Sequence, residues 1–156
     1  MYPFVKIQQE DFDLTTEIKQ LRAGFHDIGA VVSFVGTVRD LNEGDEISVL
    51  ELEHYPNMTE KALENIRLEA HRRWSLQSSL IIHRIGKMYP CDQIVLVAVT
   101  SRHREEAFHA AHFIMDYLKT NAPFWKKETF PNGDTRWVDA RVSDHDAEKK
   151  WATISD

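Results

Sequence analysis

The stretch QIVLVAVTSRHREEAFHAAHFIMDYLKTNAPFWKKET, residues 93–129, carries three patterns in succession. Gln93 to Ser101 is an apolar, β-branched run of strand length. From about His103 to Thr120 the apolar positions recur at helical spacing, with Ala107, Ala111, Ile114 and Leu118 on one side. Pro123 follows Asn121 by two residues and stops that helix. Phe124 to Thr129 returns to strand character, and Asn132-Gly133 turns the chain back into a second strand from Arg136 to Arg141.

Upstream, Ser79 to Ile85 reads as a strand joined to 93–101 by a turn through Gly86 and Pro90. Leu63, Ile66 and Ala70 form the buried stripe of a helix with Thr59 as its N-cap. Gly29 opens a continuous apolar run to Arg39, the pattern of a strand covered on both faces. After the loop from Asp40 to Glu46, the alternating segment Ile47–Tyr55 is expected to pair with that run as a long hairpin. Asp13 to Phe25 reads as a helix capped by Thr15 or Thr16, preceded by a short strand at 2–8. Hairpins dominate the connections, which predicts an α+β fold with a largely antiparallel sheet and about three main helices.

Length and composition set the outer limits. A chain of 156 residues predicts one domain over 1–156, with 143–156 a polar tail apart from Trp151. It is long enough to bury about two-thirds of its unfolded surface without a staple. The single cysteine, Cys91, excludes an internal disulfide and a multi-cysteine zinc site. It lies beside Asp92, which disfavours a thiolate nucleophile. A net charge of −6 argues against a general nucleic-acid binder. No apolar run approaches the ~20 residues that span a bilayer. The start lacks the order of a secretory signal, so the expected location is the cytoplasm. Dinucleotide, Walker-type and nucleophile-elbow motifs are absent from the sequence.

Several cations sit where elements end. Arg104, Phe108, Met115 and Lys119 fall along one border of the third helix, a pattern that also suits cations snorkelling at a core edge. In a strand at 124–129, Lys126 and Glu128 share a face and Lys127 takes the other. The stiff Pro123 connection brings Lys126 back toward Lys119. Arg39 ends one strand, and His103 and Arg104 lie where another becomes a helix. Gathered together in an acidic protein, these groups suit a phosphate or carboxylate ligand. The helix start near His103 adds backbone donors. Glu105, His109 and His112 share a helix face and offer a metal reading, although that face is expected to be solvated. Two other functions stay open on these residues: a non-catalytic anion-binding module and a metal-dependent hydrolase.

Six segments resemble one known family and occur in its order. They are Val-Gly-Thr-Val-Arg (35–39), Leu-Glu-His-Tyr-Pro-Asn-Met-Thr-Glu-Lys (52–61), His-Arg-Ile-Gly (83–86), Ser-Arg-His-Arg (101–104), Phe-Ile-Met-Asp-Tyr-Leu-Lys-Thr (113–120) and Ala-Pro-Phe-Trp-Lys-Lys-Glu (122–128). The chain resembles the large, catalytic subunits of molybdopterin synthase over roughly residues 29–141. The resemblance implies a hammerhead-type α/β domain and a sulfurtransferase of molybdenum-cofactor biosynthesis. Such enzymes convert cyclic pyranopterin monophosphate (precursor Z) to molybdopterin, with no cofactor or metal of their own. Sulfur arrives as a thiocarboxylate on the C-terminal glycine of a small ubiquitin-like carrier. Two catalytic subunits form the core of a heterotetramer, without nucleic acid or membrane.

By the same resemblance, Lys119 and Lys126 are the catalytic pair, one as an acid–base group and the other stabilising anionic character. Arg39, His103 and Arg104 hold the substrate phosphate. Glu128 orients Lys126 or contacts substrate, and ion pairing within the fold is its other reading. Arg141 reaches a neighbouring subunit's site. Phe34 and Met115 wall the channel for the carrier tail, both being equally good core residues.

Overall fold

The apolar run at 93–101 lies at the centre of the molecule because helices cover both of its faces. The computed structural model of the chain describes residues 3–42, 44–138 and 151. Along them run β1 (Val5–Gln8), α1 (Leu14–Arg22), β2 (Ala30–Thr37), β3 (Leu41–Asn42), β4 (Asp45–Glu46), β5 (Val49–His54) and α2 (Met58–Arg73). There follow β6 (Ser78–Arg84), β7 (Gly86–Met88), β8 (Gln93–Ser101), α3 (Arg104–Asn121), β9 (Phe124–Thr129) and β10 (Thr135–Val138). No helix among the described residues is long and apolar enough to cross a membrane.

One sheet has the order β1-β6-β8-β2, antiparallel except for the parallel β1–β6 pair. Alternation along β8 sends its side chains to two cores. Val95, Val97 and Val99 pack with Leu63, Ile66 and Ala70 of α2 and with Ala107, Ala110, Phe113 and Ile114 of α3. Leu96 and Ala98 meet Leu80, Ile82, Phe12 and Leu21 on the α1 side. A second sheet, order β10-β9-β5-β7, is antiparallel throughout. Its inner face contributes Leu50, Leu52 and Met88 to a third cluster, which includes Val38 and touches Ile94 of β8.

The antiparallel α+β architecture and its three helices match the expectation, but one strand pairing does not. β2 and β5 form no hairpin: β2 pairs with β8, while β5 pairs with β9 and β7. The reason is burial. β5 buries alternate residues and needs one covered face, whereas β2 extends the β8 sheet, and the expected cover on both of its faces is not found: Ala30, Val32 and Val35 are only partly buried and no residue of β2 is fully so. As an edge strand β2 stays half covered, with Val31 and Phe34 exposed. The turn after β6 contains β7, and the loop from Asp40 to Glu46 contains the small β3–β4 ladder.

The caps also shift. Asn57, at φ 72°, precedes α2, and Glu60 Oε2 accepts its backbone N–H at 3.3 Å. Thr59, expected as the cap, is instead fully buried inside the first turn. Asp13 takes the N-cap position of α1 and accepts the Thr16 hydroxyl at 2.7 Å.

Trp151 lies helical and buried against α2 and α3. Its indole N–H donates to Asp116 Oδ2 at 2.6 Å, and its ring meets Trp74 and Phe113 edge-on. Arg73 also donates to its carbonyl at 2.9 Å. Removing this ring empties an aromatic cluster, so Trp151→Ala is expected to lower unfolding free energy by about 3–5 kcal/mol. A urea titration followed by circular dichroism measures it.

Candidate active site

Strand β9 divides its two lysines between opposite faces. Lys126 stands opposite Leu52 and Glu128 opposite Leu50, so both share the inner face with the third core cluster. Lys127 stands opposite Glu51 and Trp137, and its Nζ lies 5.9 Å from the Trp137 ring centroid. The alternation read from the sequence is the one the sheet adopts.

Lys119 is exposed on the last turn of α3. The chain then reverses at once, with the Phe124 N–H donating to the Ala122 carbonyl at 2.9 Å. Phe124 stacks on His83, the ring centroids 3.9 Å apart and the planes at 21°. His83 is 6% exposed, at the end of the buried β6 run. Its Nδ1 pairs with the Arg84 carbonyl at 2.9 Å, and a carbonyl only accepts, so Nδ1 carries the proton and Nε2 is left as an acceptor. Burial pushes this imidazole down to about 4. The positive charges of Lys126 and Lys119 push the same way, against the Arg84 hydrogen bond. Two lysines from different elements thus bear on one neutral histidine.

Arg39 belongs to the same end of the molecule. Val38, one residue before it, packs on Leu52, the residue opposite Lys126. The Val38 backbone is fixed in both directions, donating to the Asp92 carbonyl and accepting from Cys91 N–H, each at 2.9 Å. Phe34 lies on the face of β2 that carries Ala30 and Val32, which pack against the α3 core. A Cβ on Gly36 would come within 2.8 Å of Val95 Cγ1, so glycine makes room for the valine opposite it, with the Phe34 ring alongside at 3.4 Å. Met115 is buried in the same core.

His103 and Arg104 do not join this group within one chain. Ala30 lies opposite Ser101 and Thr37 opposite Gln93, so Arg39 and His103 mark opposite ends of the β2–β8 pair. Helix α3 separates Arg104 from Lys119 by roughly 22 Å at 1.5 Å per residue. The expected gathering of five groups is therefore two groups, at the two ends of one helix. His103 instead lines a cleft of about 410 Å³ with Asp27, Gln77, Arg102 and Glu106.

Glu128, read as orienting Lys126, contacting substrate or pairing within the fold, makes the last of these contacts. Its Oε2 accepts from Asn42 Nδ2 at 2.7 Å, and its Oε1 accepts from Arg136 Nη2 at 2.8 Å and Nε at 3.2 Å. At 3% exposure it ties the β9–β10 hairpin to β3. Arg141 lies outside the described residues. Among those residues no group of three His, Cys, Asp or Glu side chains is placed to hold a metal ion. Glu105, His109 and His112 are exposed, as expected of a solvated face, with Trp74 near His109 and Trp151 near His112.

Comparison with known proteins gives the family. The family model described as MoaE protein matches residues 7–121. The chain belongs to the MoaE family. A molybdopterin synthase catalytic subunit from Ralstonia nicotianae is 60% identical over 154 residues, covering 99% of this chain and 87% of that protein. The structure of a molybdopterin biosynthesis MoaE protein from Burkholderia ambifaria is 55% identical, with a TM-score of 0.82, covering 95% of this chain and 97% of the other. A protein–protein complex of subunits 1 and 2 of molybdopterin-converting factor from Helicobacter pylori shares the fold at 23% identity and a TM-score of 0.69, covering 89% and 91%. As a MoaE chain, this is a catalytic subunit of molybdopterin synthase, an enzyme of molybdenum-cofactor biosynthesis.

His83 and Thr59 were not singled out as site residues from the sequence. The signal for His83 was a polar residue closing the apolar run Leu80-Ile81-Ile82, but what it faces is a property of the fold. Its burial has a measurable consequence. The unfolded chain titrates this imidazole near 6.5 and the folded one near 4, so between those values the unfolded state binds more protons. Stability from this source is complete above pH 6.5 and falls as the pH drops toward 4, by roughly 3 kcal/mol in all. Urea midpoints at about pH 7 and about pH 4.5 are expected to drop less in His83→Phe than in the parent chain.

Proposed function

We propose that this MoaE chain transfers sulfur from a carrier's C-terminal thiocarboxylate to precursor Z, with Lys119 and Lys126 at the reacting atoms. The observation that carries the reading is the short reversal between α3 and β9, which sets Lys119 and Lys126 on either side of Phe124 and the His83 ring stacked on it. Thiocarboxylate sulfur attacks a pterin side-chain carbon as the C–O bond at that carbon breaks, its oxygen leaving as water or on the phosphate, and water then cleaves the resulting thioester. The carrier leaves as a carboxylate, and the sulfur stays on the pterin. A dithiolene needs this sequence twice. One lysine moves protons at the pterin carbons, while the other faces the negative charge of the thiocarboxylate and its tetrahedral intermediate.

The phosphate end of the substrate is assigned to Arg39 with His103 and Arg104 of a second copy. The length of α3 supports this reading, because one chain holds the two groups at opposite ends of the helix. In a twofold pair, the N-terminus of one α3 is set against the C-terminus of the other. The half-covered β2, with Val31 exposed, offers apolar surface for such a pairing. A carrier partner agrees with the two-subunit complex of the Helicobacter pylori protein that shares the fold. This route works in the cytoplasm and uses only these protein subunits.

Lys119→Ala is expected to abolish molybdopterin formation from precursor Z and thiocarboxylated carrier while leaving the fold intact. Lys126→Ala should be nearly as severe and Lys127→Ala mild, since Lys127 stands on the outer face over Trp137. Wild-type turnover by Lys119→Ala would remove the assignment. The shared site has its own test, mixing Lys119→Ala chains with Arg104→Ala chains. Random re-pairing leaves one intact site in half of the dimers, so activity should return to about a quarter of wild type. A mixture no more active than its components would place each site within a single chain.

A further inference from the structure

The block 52–61 and the segment 83–86 belong to the resemblance, yet neither receives a role in the chemistry above. In the fold both meet the short connection between α3 and β9. Thr59 is fully buried, and its hydroxyl is used in both senses. It donates to the Pro123 carbonyl at 2.9 Å and accepts the Tyr55 backbone N–H at 3.0 Å. One residue on, Phe124 is covered by the His83 ring, and its register partner on β5 is His54. Trp125 packs on Tyr55, the ring centroids 4.2 Å apart. Three consecutive residues, Pro123, Phe124 and Trp125, are therefore each held by a different side chain or ring, immediately before Lys126.

We propose that Thr59 and His83 are positioning residues for Lys126, the hydroxyl fixing the Pro123 carbonyl and the imidazole fixing the Phe124 ring. Phe124 and Lys126 lie on the same face of β9, so displacing the ring shifts the point at which the lysine leaves the strand. A buried hydroxyl that both donates and accepts has no rotational freedom left, and it sets the carbonyl by direction as well as distance. The imidazole suits its place because it is flat enough to stack and stays neutral there. Lys126 on β9 and Lys119 on α3, and His54 on β5 when protonated, already bring positive charge toward it, and Arg84 follows it on its own strand. A cationic plate at that position would repel the lysine pair.

This inference rests on the assignment of Lys126 to the reaction, and the test keeps the two apart. The catalytic subunit, assembled with thiocarboxylated carrier, is assayed for kcat and for KM toward precursor Z. The variants are Thr59→Val, Thr59→Ser, His83→Ala, His83→Phe and Lys126→Ala, with circular dichroism confirming the fold of each. Thr59→Val and His83→Ala are expected to lower kcat about ten-fold or more with KM within about two-fold, since a misplacement of about 1 Å suffices for such losses. Thr59→Ser restores the hydroxyl and His83→Phe restores the plate, so each should recover to within about three-fold of wild type. If Thr59→Val does not fold, the His83→Ala and His83→Phe pair decides the result. Wild-type kcat in His83→Ala, beside an inactive Lys126→Ala, would overturn the positioning role while leaving the lysine assignment in place. So would equal losses in His83→Ala and His83→Phe. An active Lys126→Ala would instead remove the reading on which the inference stands.

Discussion

Val95, Val97 and Val99 face α2 and α3, while Leu96 and Ala98 face α1. A strand buried on both sides cannot slip by one residue without exchanging its whole contact set. That constraint fixes β6 and β2 on either side of β8, and with them His83 opposite Val95 and Thr37 opposite Gln93. It also fixes where α3 begins, because the helix starts three residues after the strand ends and packs back over it. The direction of α3 then sets the site. Its last turn returns to the end of the sheet where His83 and Val38 lie, and Lys119 comes with it.

The parts of this fold legible in the sequence are those decided locally. The third helix shows its period, its apolar stripe and its stop at Pro123, and all four predicted stripe residues are buried. The β9–β10 hairpin shows its Asn-Gly turn, where Gly133 adopts φ 91° and Phe130 N–H reaches the Asp134 carbonyl at 2.8 Å. The partner of β2 is decided elsewhere. Adjacency in sequence favours β5, but continuous and alternating apolar patterns ask for different numbers of covering layers. That difference was visible between residues 30–37 and 49–54; which helices would supply the layers was not. A three-residue strand such as β7 carries too little pattern to be read at all.

The same division runs through the site. The opposite facing of Lys126 and Lys127 follows from strand alternation and needs no tertiary information. Placing His103 and Arg104 beside Lys119 ignored the rigid helix between them, a length already countable in the sequence. Glu128 shares the face predicted for it and makes an ion pair within the fold, but its partners Asn42 and Arg136 come from segments whose approach only the second sheet determines. A carboxylate with both oxygens engaged by neighbours contributes geometry to the hairpin.

Helix α3 also organises charge along its axis. Its N-terminus, at His103 and Arg104, presents free backbone N–H groups and the positive end of the dipole, which favour an anion. Its C-terminus, at Lys119, presents carbonyls and the negative end, which favour a cation. One helix thus holds an anion-favouring end and a cation-favouring end roughly 22 Å apart. Two such helices set head to tail across a twofold would supply both ends to each of two sites.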